Sequence, residues 1–155
     1  MQVQGFEGIL EQHPFFRGLS APILATIAGC ASNESFPAGS FLCREGQAAD
    51  RFFLPRFGRV AVEIATPEGG PVTVETVEEG DVLGWSWLFA PYRWHFDARA
   101  LTLVRALALD GACLRRKCED DEAMGYELMK RFAQLAVQRL EATQLQLLDL
   151  YVRKP

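Results

Sequence analysis

The chain has 155 residues, a formal net charge of −4, and 49% apolar and 11% aromatic residues. A chain of this length and apolar content can bury a core, so the composition indicates a single folded domain and excludes an intrinsically disordered protein. The acidic balance argues against general nucleic-acid binding, because that activity needs a basic face to displace counterions from phosphates.

The sequence carries no sign of secretion or membrane insertion. Residues 1–10 lack a basic leading region and include Glu7, unlike a signal peptide. No stretch reaches the ~18 consecutive apolar residues of a spanning helix. We therefore expect a cytoplasmic protein that does not contact a membrane. In that compartment the four cysteines, none in a C-x-x-C pair, are expected to be reduced thiols and not a disulfide or metal site: Cys30, Cys43, Cys113 and Cys118.

The first segment, to about residue 35, is predicted to be helical. Ser20 is placed to cap a helix in which Ile23, Leu24 and Ile27 recur at helical spacing, and Gly29 is placed to end it. Upstream, the run His13-Pro14-Phe15-Phe16 indicates a turn with an aromatic side chain that plugs the core.

From about residue 36 to residue 110 the pattern indicates β-strands separated by glycine-containing turns. Residues 60–64 and 72–77 alternate between apolar and polar side chains on either side of the turn 66–70, which predicts a β-hairpin. Residues 98–109 return as one or two apolar strands. The spacing predicts a mainly β fold with flanking helices (α+β), in which a jelly-roll-like barrel is followed by a long C-terminal helix.

The last segment is predicted to be helical from about residue 111 to residue 152, with one long helix from Asp120 to Tyr151. A helix of ~30 residues spans ~45 Å, which is longer than a domain of this size needs for its own core. We therefore expect a homodimer that forms through this helix, although the helix could instead fold back wholly on its own barrel. The predicted dimerisation stripe is Leu128, Phe132, Leu135, Leu140, Leu147 and Leu150.

The sequence lacks a recognisable catalytic constellation, so we expect no enzymatic activity and assign no catalytic residue. The two histidines, His13 and His95, are too few for the His-rich metal site of a metal-dependent jelly roll. The run Gly84–Leu88 resembles the start of a nucleophile elbow but has Leu88 where that turn needs a second glycine. The acidic run 119–122 lacks the oxygen spacing of a calcium loop, and the sequence assigns no metal site. An enzyme or haem sensor would depend only on His95 and the free cysteines.

The segment from Gly80 to Arg99 holds all three tryptophans together with Ser86, Arg93 and His95. Aromatic walls combined with a few hydrogen-bond donors are typical of a small-ligand pocket. The same aromatic side chains could instead fill the core or form a dimer surface.

The order of elements and two motifs resemble the cyclic nucleotide-binding domain family, in particular its catabolite-activator-type sensor domains. The run from Leu42 to Gly58 resembles the first motif of that family, with Gly46 and Ala49 at matching positions. Pro55 departs from that motif, and because proline removes a backbone donor, we expect it at a sheet edge or a bulge. The resemblance extends from about residue 15 to residue 151.

The second motif of the family is its phosphate-binding cassette, and here the sequence diverges. In the family, a Gly-Glu pair begins a short helix, the glutamate holds the ribose hydroxyl, and a later arginine pairs with the cyclic phosphate. In this chain Gly84 matches, but Trp85 occupies the glutamate position and Trp94 the arginine position. Arg93 could replace the arginine if the loop shifts by one residue, because a guanidinium can hold two phosphate oxygens at once.

The resemblance implies a regulatory ligand-sensing domain that signals through a dimerising helix and does not bind cyclic AMP in the family's usual way. The alternative is a structural or protein-interaction module whose nucleotide pocket has collapsed. No cofactor is assigned beyond a cyclic nucleotide or another small ligand, and no direct DNA binding is expected from this chain. The predicted ligand-binding residues are Gly84, Trp85, Ser86, Trp87, Leu88, Arg93, Trp94 and His95.

Overall fold

A computed structural model describes residues 5–152. The helices are α1 (Phe6–Gln12), α2 (Ala21–Ala28), α3 (Gly111–Asp120) and α4 (Glu122–Val152), with short 3-10 turns at Pro14–Phe16 and Ser86–Leu88. The chain divides into two compact units, the first ending at Lys117 and the second beginning at Cys118.

The strands of the first unit form two antiparallel sheets. They are β1 (Ala31–Phe36), β2 (Phe41–Cys43), β3 (Arg51–Phe57), β4 (Val60–Thr66), β5 (Gly70–Val77), β6 (Asp97–Ala100) and β7 (Val104–Asp110). One sheet has the order β1-β7-β3 and the other the order β2-β6-β4-β5. The structure confirms the predicted mainly β fold with flanking helices.

Local sequence chemistry explains the predicted hairpin. Strands β4 and β5 pair from Val60 opposite Val77 to Thr66 opposite Gly70. At the turn, the hydroxyl of Thr66 accepts a hydrogen bond from the Gly69 amide at 3.1 Å and donates one to the Gly70 carbonyl at 2.7 Å. The predicted hairpin is therefore confirmed.

Pro55 lies where its missing amide hydrogen costs little. Strand β3 is an edge of its three-stranded sheet, and its register against β7 shifts between Pro55 and Phe57. An edge with a bulge is the setting in which proline is tolerated in a sheet, as the sequence predicted.

The core of the first unit lies between the two sheets. One buried cluster draws Leu42 and Val62 from one sheet and Phe53 and Ala108 from the other, and it includes Trp94. Burial of these side chains contributes roughly 25 cal/mol per Å² of apolar surface.

The structure confirms the predicted helix α2 but not a helical segment to residue 35, because residues 31–36 pair with β7 as strand β1. The Ser20 side chain makes no capping hydrogen bond. Helix α2 has Ser20 at its N-cap and Gly29 at its C-cap, and Leu24 and Ile27 are buried. In the turn upstream, Nδ1 of His13 accepts a hydrogen bond from the Phe15 amide at 3.1 Å, and the fully buried Phe16 is the predicted aromatic plug.

The expectation that all four cysteines are reduced is wrong in this structure. Cys30 and Cys113, 83 residues apart, form a disulfide with a Cα–Cα distance of 5.9 Å. Cys30 follows α2, whereas Cys113 lies in the first turn of α3. The pairing depends on tertiary folding that brings these two turns together, and no local spacing signals it. Cys43 and Cys118 are free.

The second unit consists mainly of α4. The helix predicted from Asp120 begins at Glu122, because Asp121 is its cap: the Met124 amide donates to Asp121 Oδ1 at 3.2 Å. Of the predicted dimerisation stripe, Leu128 and Phe132 are buried within the single chain and Leu135 is half-buried. The other three members of the stripe are exposed: Leu140, Leu147 and Leu150.

None of the helices formed by residues 5–152 combines the length and apolar character needed to cross a bilayer.

Candidate functional site

Gly84 and Trp94 pack directly against each other in the predicted cassette. Gly84 has φ +102°, a conformation that favours glycine. A Cβ atom at this position would lie 2.5 Å from Cη2 of Trp94. Glycine is therefore required here both by the backbone and by the indole that lies over it.

The indole of Trp94 belongs to the hydrophobic core. Its side chain is only 4% exposed, and its ring lies 5.6 Å from the ring of Phe96. The backbone of Trp94 is held by an amide donating to the Gln47 carbonyl at 3.0 Å and a carbonyl accepting from the Gly46 amide at 2.9 Å. Trp94 is thus an apolar core residue whose backbone is held by two neighbouring residues of the first predicted motif, Gly46 and Gln47.

The 3-10 turn Ser86–Leu88 positions the other cassette side chains. Trp87 is fully buried and stacks on Phe52 with a centroid distance of 5.0 Å. Trp85 precedes the turn and is half-buried, as is Leu88. The buried hydroxyl of Ser86 lies 3.4 Å from Nδ1 of the exposed His95. The three tryptophans therefore do not share one wall: two are core side chains and one lies at the margin.

Arg93, the predicted substitute for the cassette arginine, has a surface hydrogen bond within its own chain. It is exposed, and its guanidinium donates to the Gly46 carbonyl at 3.3 Å. A phosphate partner has to be aimed into a partly dry pocket to give a strong charge-assisted bond, and this guanidinium lies at the surface.

A separate cavity of about 230 Å³ lies between the N-terminal segment that includes α1 and residues of β3 and the turn after β5. Ile9, His13, Arg56 and Glu79 are among its lining residues, and none of the predicted ligand-binding residues lines it. This cavity is therefore not the cassette pocket.

A family model described as the cyclic nucleotide-binding domain matches residues 33–121, which is more than half of the chain. The chain belongs to the cyclic nucleotide-binding domain family. The matched range spans both motifs, so Gly84, Trp85 and Trp94 can be read as this member's version of the cassette.

Comparison with known proteins gives the same assignment. The "CRP-like cAMP-activated global transcriptional regulator" of Mycobacterium tuberculosis is 26% identical over 142 residues, covering 92% of this chain and 62% of the relative. The chain thus spans about three fifths of the length of that curated relative.

Two solved structures show the same fold. The crystal structure of a Geobacter metallireducens GS-15 protein, titled as a cyclic nucleotide-binding protein, is 32% identical, covers 90% of this chain and 99% of that one, and has a TM-score of 0.78. A cyclic nucleotide-binding domain from Methylobacillus flagellatus KT has a TM-score of 0.81 at 18% identity, covering 96% of this chain and 88% of that one, and shows the fold alone.

Sequence reasoning missed the residues of α3 that contact the cassette segment. The guanidinium of Arg115 donates to the Trp87 carbonyl and lies 4.1 Å from the ring centroid of Tyr92. A cation over an aromatic face is attractive, so α3 is held against the cassette by two contacts of one side chain. The run of basic residues 115–117 was the available signal, but spacing alone could not show which of them turns inward.

Sequence reasoning also missed an ion pair between a buried glutamate and a partly exposed arginine. Glu63 on β4 is 5% exposed and accepts two hydrogen bonds from Arg99 on β6, at 3.1 and 2.8 Å. The hydrogen bonds and the charge of Glu63 raise the pKa of Arg99. Arg99 is thereby paired through two of its nitrogens with a carboxylate of its own chain.

The free thiols lie in environments that disfavour the thiolate. Burial raises the pKa of Cys43 to about 12. Burial, followed by the charges of Asp121 and Glu119, raises the pKa of Cys118. Because the thiolate is the reactive form, neither group is suited to nucleophilic chemistry.

Proposed function

We propose that this domain is a non-enzymatic regulatory module that has lost the family's cyclic-nucleotide contacts and transmits its state through a dimerising α4. The carrying observation is the burial of Trp94, whose indole packs on Gly84 at the family's arginine position. The cytoplasm is the proposed location, in keeping with the transcriptional regulator to which the chain is similar.

Electrostatics supports the loss of the usual ligand. A cyclic phosphate that enters the cassette must give up hydration, and the compensating partner in the family is an arginine. Desolvating an unpaired charge costs several kcal/mol. The Trp94 indole cannot supply that charge, and the Arg93 side chain lies at the surface.

The exposed half of α4 supports the dimer. Leu140, Leu147 and Leu150 are each more than half exposed, and such a stripe in a long helix is typical of helix–helix association. A ligand or partner that prefers one arrangement of this helix would shift its population.

A second candidate is a protein-interaction module in which the cassette is only core. Trp87 favours it, because that side chain is fully buried and stacked on Phe52. The two candidates differ in whether a small molecule other than a cyclic nucleotide stabilises the domain.

The first test is a thermal-shift series with cyclic AMP, cyclic GMP and related nucleotides. A ligand at about 100 times its dissociation constant adds roughly 2.7 kcal/mol and raises the midpoint by several degrees. We expect no rise for the wild-type protein with either cyclic nucleotide at millimolar concentration.

The controls are Arg93→Ala and Arg105→Ala, which remove exposed arginines from the cassette and from β7 respectively. A rise of several degrees that disappears in Arg93→Ala but persists in Arg105→Ala would overturn the proposal and make Arg93 the phosphate partner. A rise with a nucleotide of another type, insensitive to Arg93→Ala, would support a sensor of a different ligand over the interaction module.

A further inference from the structure

The disulfide ties two turns that flank the sheet β1-β7-β3. Cys30 directly precedes β1, and its carbonyl accepts from the Asp110 amide at the end of β7 at 2.9 Å. Cys113 is the third residue of α3, and its amide donates to Asp110 Oδ1 at 3.0 Å. The bond therefore fixes the start of α3 to the end of the N-terminal helical segment.

The surroundings of the two sulfurs suit thiol–disulfide exchange. Cys30 is buried at 7% exposure, whereas Cys113 is partly exposed, so Cys113 is the sulfur open to attack. The amino end of α3 favours a thiolate at Cys113, although the nearby Asp110 carboxylate opposes this.

Helix α3 also contacts the residue before β3 and the cassette segment. The Gly111 amide donates to the Asp50 carbonyl at 2.7 Å, Leu114 is fully buried, and Arg115 contacts Trp87 and Tyr92. Helix α3 thus lies between a covalent bond and the cassette, and one residue separates it from α4.

We propose that the Cys30–Cys113 disulfide is a reversible redox switch, reduced by a dithiol, that sets how firmly α3 is held against the segment Ser86–Tyr92. A thiolate of the dithiol attacks Sγ of Cys113, and the disulfide bond breaks with Cys30 leaving as thiolate. The second thiol of the dithiol then forms a disulfide with the first and releases Cys113. The chain gains two electrons and two protons, and the dithiol loses them.

Reoxidation reverses these steps with a cyclic disulfide as the electron acceptor. The switch does not depend on nucleotide binding, so its test is independent of the test of the proposed function.

The experiment measures hydrogen exchange of the α3 amides in the full chain, oxidised and after native reduction with dithiothreitol. Alkylation and intact mass count the thiols. We expect two additional alkylated thiols on reduction, exchange of residues 111–117 faster by about tenfold or more because the helix opens locally, and return to the oxidised pattern with oxidised dithiothreitol.

The matched variants are Cys30→Ser with Cys113→Ser, expected to exchange like the reduced protein in either buffer, and Cys118→Ala, expected to respond like wild type. Should the double variant not fold, reduction of the wild-type chain still decides the question. Reduction that occurs only together with global unfolding, or that leaves exchange in α3 unchanged, would show a purely structural bond and overturn the proposal.

Discussion

For single residues, the packing of the cassette depends on the contact between the Trp94 side chain and Gly84. The Trp94 ring occupies the space in which Gly84 would carry a side chain. Larger side chains at position 84 are expected to destabilise the fold, because protein interiors are packed near crystal density and a displaced indole has no empty volume to enter. Trp94, predicted at the family's arginine position, is thus a core side chain.

Replacing Gly84 by alanine is expected to destabilise the domain by about 3 kcal/mol, from a strained positive φ together with overpacking against the indole. The control is Gly39→Ala, where φ is +88° but no heavy atom lies within 4 Å of the added Cβ. That variant is expected to lose only about 1–2 kcal/mol, the cost of the backbone conformation. Urea unfolding measures both.

A second comparison isolates the indole. In a Trp94→Phe background the atoms that crowd the Gly84 position are gone, so Gly84→Ala is expected to cost less there than in the wild-type protein. Equal costs in the two backgrounds would show that Trp94 does not pack on Gly84 in solution.

Among the elements, α4 changes along its length in how deeply its apolar side chains are buried. Leu128 and Phe132 near its start are buried, whereas from Val137 onward its large apolar side chains are exposed, including Leu140 and Leu147. Long helices gain most of their stability from burial of an apolar face. In the proposed dimer, the second half of α4 packs against the identical stripe of a second copy of the chain.

Introducing lysine at both Leu140 and Leu147 is expected to shift the protein from dimer to monomer, because two charges would be buried on each side of the helix pair. The matched control is Gln134→Lys with Gln138→Lys, which adds the same charge on the opposite face of α4 and is expected to leave the dimer intact. Sedimentation at micromolar concentration measures the mass. A monomeric wild-type protein, or equal dissociation by both pairs, would refute dimerisation through this stripe.

At the scale of the whole molecule, the first unit is joined by long-range contacts between its N-terminal turn and the barrel. Nε2 of His13 lies 3.2 Å from the Asp81 carbonyl, while its Nδ1 accepts from the Phe15 amide. Each ring nitrogen of the neutral imidazole thus has a hydrogen-bond partner. Burial lowers the pKa of His13, partly opposed by the hydrogen bond and charge of Asp81.

Because the pKa of His13 is lower in the folded chain than its ordinary value of 6.5, the unfolded chain binds a proton first as the pH falls. The stabilisation from neutral His13 is therefore complete only well above pH 6.5 and is lost as the pH falls through the folded pKa. We expect the free energy of unfolding, measured in urea, to decline between about pH 7.5 and pH 5.5.

His13→Asn keeps a side-chain acceptor for the Phe15 amide but removes the titrating ring, so the decline should become smaller in this variant. The control is His95→Asn, which removes the exposed second histidine and should leave the decline unchanged. An identical decline in all three proteins would contradict the assignment to His13.

The sequence by itself determined the elements whose cause is local. The helix α2, the hairpin β4–β5 and the bulge at Pro55 were predicted because the helical spacing of apolar residues, strand alternation and a missing amide hydrogen act over a few residues. The resemblance to the family was also predicted from the sequence, because its first motif is a run of neighbouring residues.

The burial and the pairing of the site residues depend on the tertiary structure. The three tryptophans look alike in sequence, yet Trp87 and Trp94 are core and Trp85 is half-buried, because burial depends on which strands pack over each ring. The pairing of Glu63 with Arg99 and the disulfide between Cys30 and Cys113 have the same origin. Each joins residues that are distant in the chain, and only the folding of the barrel brings them within bonding distance.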